Sequence, residues 1–100
     1  MDQTALMEDM RRATESIVAA RLPIRLRAAQ KGVVVEAPAC ATTRLVDPLE
    51  ATVTWAALDQ ARAAVLHPLV GALIAFLHNG GPPPPGFERP QRAPVSRRLH

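Results

Sequence analysis

A single cysteine, Cys40, occurs in the chain, so no disulfide can form within it and a disulfide-stapled scaffold is excluded. Aromatic residues are scarce: Trp55, Phe76 and Phe87, with no tyrosine. Single-stranded nucleic acids are usually held on aromatic stacking platforms, and there are few here. The five glycines form neither a G-x-G-x-x-G turn nor a P-loop, so no phosphate cradle is legible. The two serines, Ser16 and Ser96, have no nucleophile-elbow sequence around them. His67 and His78 stand eleven residues apart, which places them ~16 Å apart on a helix, too far to share one metal ion. His100 is the last residue of a tail-like segment. Cys40 lies in a loop-like stretch with only Arg44 nearby to activate a thiol. The chain is therefore expected to be non-enzymatic, with no cofactor, no metal and no small-molecule ligand.

Long apolar runs are also lacking. Counting back from Leu77, the uncharged stretch ends at Ala63 and contains His67 and Pro68. A membrane span needs ~20 apolar residues, so none is expected. The start of the chain carries Asp2, Glu8 and Asp9 where a secretory signal would be apolar. The expected location is the cytoplasm, or the inside of a virion or other large assembly.

What is present is an ordinary globular balance, 48% hydrophobic and 21% charged, which excludes wholesale disorder. Basic and acidic side chains cancel over residues 1–80. The net charge of +3 comes from Arg89, Arg92, Arg97 and Arg98 against Glu88. Any inference from a basic balance to a nucleic-acid partner therefore applies chiefly to the last twenty residues.

Residues 3–21 predict an amphipathic helix, with Leu6, Met10, Ala13, Ile17 and Ala20 on one stripe and Pro23 closing it. Ile24, Leu26 and Ala28 then alternate with Arg25 and Arg27, and Gln30-Lys31-Gly32 reads as a turn before Val33-Val34-Val35. This is the pattern of a β-hairpin with arginines on one face and aliphatics on the other. A third strand is expected at Thr42–Val46. Asp47-Pro48-Leu49-Glu50 has the residues of a capped helix start, predicting a helix to about Leu66. The Thr52-Val53-Thr54-Trp55 run is the weak spot of that helix, because it would also suit a strand. Pro68 predicts a break, followed by a last helix from Leu69 to His78 that stops at Asn79-Gly80-Gly81.

The predicted fold is a small α+β domain over residues 1–81. It comprises an N-terminal helix, a hairpin with a possible third strand and a kinked C-terminal helical segment. An extended proline- and arginine-rich tail occupies residues 82–100. The alternative is an all-helical bundle in which the valine run is a connector.

Leu69-Val70-Gly71-Ala72-Leu73-Ile74-Ala75-Phe76-Leu77 is apolar on every side of a helix. A surface helix should show one apolar stripe and one polar face. Such a segment is either the central element of the fold or partly an interface. Leaving about four of its side chains in water would forgo ~6–12 kcal/mol of gross burial. The interface reading is the expectation here, with Trp55, Leu69, Val70, Leu73, Ile74, Phe76 and Leu77 as contact residues. The function expected is that of a structural or accessory subunit. It would associate with itself or a larger protein through the last helix, with the tail as a docking arm. The second reading is a nucleic-acid-associated protein contacting phosphates through Arg25, Arg27, Arg89, Arg92, Arg97 and Arg98.

Overall fold

The computed structural model describes residues 2–40, 43 and 45–90. It is an α+β fold with element order α1 (Gln3–Ala20), β1 (Arg25–Ala28), β2 (Gly32–Ala37), β3 (Leu49–Thr54), α2 (Trp55–Gln60) and α3 (Leu66–Asn79). The strands form one antiparallel sheet in the order β1-β2-β3. The expected N-terminal helix and hairpin are both present.

Helix α1 begins with the Asp2 carboxylate accepting the Ala5 N–H at 2.7 Å. It ends at Arg21, whose backbone adopts φ 56° while its N–H reaches the Ile17 and Val18 carbonyls. On its outer side Arg11 bonds both Glu8 and Glu15. The hydrogen bond from Arg11 holds the Glu8 carboxyl below its ordinary value. These groups are solvent-exposed, so the pairs add little to stability.

Strand β2 is central, and its residues alternate between two faces. Val33, Val35 and Ala37 enter the core with Ala51 and Leu49 of β3, which lie opposite Val35 and Ala37. The other face carries Arg25, Arg27, Glu36, Glu50, Thr52 and Thr54, with Arg27 bonded to Glu36 at 3.1 Å. Val34 also belongs to that face and is 5% exposed.

Three sequence expectations are corrected here. Residues 47–66 are not one helix: Leu49–Thr54 is β3 and Trp55–Gln60 the short helix α2. Leu49, Ala51 and Val53 face inward with period two, because the valines of β2 need a partner on their second edge. The local cap signal at Asp47-Pro48 loses to that tertiary demand. The third strand is consequently Leu49–Thr54 and not the stretch expected. Cys40 and Leu45 make only an isolated bridge, and Thr42 lies outside the described residues. Lastly, α3 begins at Leu66 rather than Leu69, with Pro68 in its first turn. A proline there removes an N–H that has no helical partner anyway, so it neither breaks nor ends the helix.

The start of α3 depends on a distant residue. Val65, at the N-cap, supplies no side-chain hydrogen bond. Instead Asp9 of α1 accepts the N–H groups of Val65, Leu66 and His67, all at 2.8 Å. Pro68 has no N–H, and the Leu69 N–H bonds the Val65 carbonyl at 3.2 Å. One carboxylate thus satisfies every free donor of the helix start. Asp9 is 2% exposed and lies among the inward residues of α1. From there Leu66, Val70, Leu73 and Leu77 descend along the inner face of α3 into the core.

The proline-rich segment does not leave the fold at Gly81. The Phe87 N–H bonds the Pro84 carbonyl at 3.2 Å, and Phe87 is 7% exposed within the core cluster. Glu88 exchanges backbone hydrogen bonds with Glu50 on the outer edge of β3, at 2.9 and 3.0 Å. A large aromatic group anchors what composition alone reads as tail. The remainder of that segment, residues 91–100, lies outside the described residues.

The Asp9 interaction predicts the main vulnerability of the fold. Asp9→Ala leaves three helix N–H groups without acceptors and is expected to cost about 2–3 kcal/mol. Asp9→Asn keeps an acceptor oxygen and is expected to lose less. Urea unfolding of both variants checks this, and equal stability of Asp9→Ala and the parent would refute it.

Candidate functional site

The apolar C-terminal helix divides into two ridges. Val70, Leu73 and Leu77 are buried in the chain's own core. They are therefore not available at the surface as the contact residues expected from sequence. The reason is the heptad-like spacing of Leu66, Val70, Leu73 and Leu77, which puts the four large residues on one inward line. Leu69, Ile74 and Phe76 flank that line and are half-buried. Pro68, Gly71, Ala72 and Ala75 form the exposed ridge. No charged side chain lies between Leu66 and Leu77.

Trp55, at the junction of β3 and α2, is 42% exposed. Its indole N–H donates to the carbonyls of Ala29 and Gln30, at 3.2 and 3.1 Å. Its backbone N–H donates to the Lys31 carbonyl at 3.2 Å. The side chain thus ties the end of β3 to the β1–β2 turn. Thr54 accepts the Ala57 N–H with its hydroxyl, and so starts α2 beside this junction.

Two hollows flank the outer edge of β3. On the core side, an apolar groove of about 430 Å³ lies between β3 and α3 and is bounded by the proline-rich segment. Val53, Val65, Leu69 and Ala72 line it with Pro84 and Pro85. On the other side of the strand, a polar hollow of about 470 Å³ is lined by Lys31, Glu50, Thr54 and Arg89, among others. A third hollow, of about 340 Å³, lies over Asp9 between α1 and residues 61–64. Both Asp9 oxygens are already engaged by the α3 backbone.

The candidate phosphate-binding residues are dispersed. Arg25 and Arg27 lie on the open sheet face, where Arg27 is bonded to Glu36. Arg89 is paired with Asp47 at 2.9 Å. Arg92, Arg97 and Arg98 lie outside the described residues. Among the described residues no group of three His, Cys, Asp or Glu side chains is arranged to hold a metal ion. His67 sits in the first turn of α3 and His78 in its last. Cys40 is half-buried, its backbone paired with Leu45 and its carbonyl accepting the Thr43 hydroxyl at 3.1 Å. No helix among the described residues is long and apolar enough to cross a membrane.

Comparison with protein-family models, curated protein sequences and solved structures finds no match. The sequence shows Gly71 and Ala75 as a small-xxx-small pair that permits close helix approach, but neither their exposure nor the groove. Both depend on the strand β3 and on Leu66 being the first inward residue of α3. The signal was nevertheless available. The large residues of the last helix recur at spacings of four, three and four, and the small ones fall between them.

Two glycines separate what the monomer requires from what it does not. A Cβ at Gly32 would stand 2.0 Å from the Val53 carbonyl oxygen. The close approach of β2 and β3 thus demands glycine. At Gly71 a Cβ would meet nothing within 4 Å. A glycine inside a helix costs about 1 kcal/mol relative to alanine, and the monomer offers no packing reason for it. Gly71→Ala is therefore expected to stabilise the dilute chain by about 0.5–1 kcal/mol, whereas Gly32→Ala should destabilise it by about 1–3 kcal/mol. Thermal unfolding of the two variants side by side tests the contrast. A destabilised Gly71→Ala would mean that this face is covered within the monomer.

Proposed function

We propose that the chain is a non-enzymatic structural or accessory subunit that associates with a second copy of itself through the outward ridge of α3. The observation that carries this reading is the exposed, charge-free face made by Pro68, Gly71, Ala72 and Ala75. An exposed helix face without polar side chains is unusual on a soluble domain and marks a contact surface. Gly71 and Ala75, one turn apart, let a second helix approach closely. The glycine that the monomer does not need is accounted for in this way. A second copy suits the face because the ridge carries no charge that would repel its own image across a two-fold axis.

The proline-rich segment has a place in the same reading. Phe87 and Glu88 hold it against β3, which fixes Pro84 and Pro85 beside the ridge and its groove. In this reading the basic residues Arg92, Arg97 and Arg98 of the same segment serve to dock a neighbouring protein.

Light scattering on the full chain at micromolar concentration tests the proposal. A chain ending at Gly81 would lack Phe87 and with it part of the core. The full chain is expected to have the mass of a dimer. Ala75→Arg should return it to a monomer with an unchanged helical circular-dichroism signal, since residue 75 is exposed. A full chain that stays monomeric at tens of micromolar, or an Ala75→Arg variant that remains dimeric, would overturn the reading.

A further inference from the structure

The outer edge of β3 carries unused hydrogen-bonding groups beside a place to put side chains. Glu50 directs its N–H and C=O outward, to Glu88. In an antiparallel ladder these directions alternate along the strand, so the N–H and C=O of Thr52 and the N–H of Thr54 also face outward. The opposite direction of the Trp55 N–H, toward Lys31 of the neighbouring strand connection, agrees with that alternation. Among the described residues, these three edge groups have no backbone partner.

A strand laid along this edge would send alternate side chains to opposite faces of the sheet. One face offers the apolar groove between Val53, Leu69 and Ala72. The other offers the polar hollow, in which Lys31 stands at the Thr54 end and Glu50 and Glu88 at the opposite end, so a preference for a carboxylate is confined to the place beside Thr54. The chain's own residues show the pattern at the adjoining position, where Phe87 is buried and Glu88 lies exposed on the strand edge. Lys31 is exposed and forms no ion pair among the described residues. It therefore favours a carboxylate. The chain's own residues 91–100 contain Arg92, Arg97 and Arg98 and no acid, so they are poorly matched to this position.

We propose that Thr52–Thr54 and the groove beside them form a strand-addition site for an extended segment of another protein. An aliphatic side chain of that segment sits opposite Val53 in the groove. An acidic one sits opposite Thr54 and reaches Lys31. Main-chain hydrogen bonds to Thr52 and Thr54 supply the affinity, and the two hollows supply the preference for alternating apolar and acidic residues. The groove shares Pro68 and Ala72 with the ridge of α3, whereas the strand edge and the polar hollow lie apart from it, so the two proposals are tested at different residues.

The probe is a synthetic hexapeptide of alternating valine and aspartate, titrated into the full chain and followed by amide NMR and hydrogen exchange. The Thr52 and Thr54 amides are expected to shift and to exchange at least tenfold more slowly in the complex. Thr52→Pro removes an outward N–H that β2 does not use, and proline is tolerated at such edge positions. It should weaken peptide binding at least tenfold while leaving the other amide signals in place. Lys31→Glu should weaken it about fivefold and favour a peptide of alternating valine and lysine instead. Ala75→Arg, which leaves the groove lining untouched, should bind the peptide at least as tightly as the parent, which keeps this test distinct from that of self-association. Absence of binding at millimolar peptide would overturn the proposal, as would binding that Thr52→Pro leaves unchanged. So would Thr52 protection in the free chain that disappears when residues 91–100 are deleted, because the occupant would then be the chain's own tail.

Discussion

The carboxylate of Asp9 is the constraint on which the arrangement of this molecule depends. It accepts three backbone N–H groups at the start of α3 from a position near the start of α1. The distance of each bond, 2.8 Å, is that of a strong charge-assisted hydrogen bond. An acidic group at a helix N-terminus also meets the positive end of the helix dipole. Fixing that point sets where α3 begins and which of its faces turns inward. The Leu66, Val70, Leu73 and Leu77 line then meets Val33 and Val35 of β2 in a common core. The exposed ridge and the apolar groove follow from that rotation, including the outward position of Gly71 and Ala75.

The rotation resolves an apparent contradiction in the sequence. A helix apolar on all sides calls for burial on all sides, which a chain this short can hardly provide. Here the helix is apolar on both faces, yet the two faces differ in size. Large side chains fill the core and small ones cover the outside. Exposing glycine and alanine costs far less than exposing four leucine-sized groups. The monomer can therefore fold around α3 and still present a smooth, uncharged surface.

How much of this could be read beforehand follows from where the determining interactions lie. The hairpin was legible because Val33-Val34-Val35 and the Arg25/Arg27 alternation carry their own period. The stripe Leu6, Met10, Ala13, Ile17 made the first helix equally plain. Strand β3 was not legible, because Asp47-Pro48-Leu49-Glu50 resembles a helix cap more closely than Leu49, Ala51 and Val53 resemble a strand. Ala51 weakens the apolar alternation, and only the empty edge of β2 decides the matter. The start of α3 was obscured in the same way. Its cap is 56 to 58 residues distant in sequence, so the local signal reduces to Pro68, which read as a break. One hint was present. Asp9 stands next to Met10, between Leu6 and Ala13 in an otherwise apolar stripe, and a buried acid in that place needs a donor from elsewhere. Phe87 was a similar case, a single aromatic in a proline-rich segment whose composition argued for a solvated arm.

The two edges of the sheet are not treated alike, and the difference bears on what the chain does. Edge strands invite pairing with other chains, and proteins usually blunt them. On β3 the fold brings back its own segment, seats Phe87 in the core and pairs Glu88 with Glu50. The pairing then stops at Gly86, whose φ of 91° departs from strand geometry. Thr52 is left exposed, with an apolar groove on one side and a lysine on the other. Had the segment served only to protect the edge, its prolines would have been better placed opposite Thr52, where they could shield it without offering donors. Instead they wall the groove beside it. An edge half covered by the chain's own strand, with its open half furnished for alternating side chains, is arranged as a place where another strand continues the sheet.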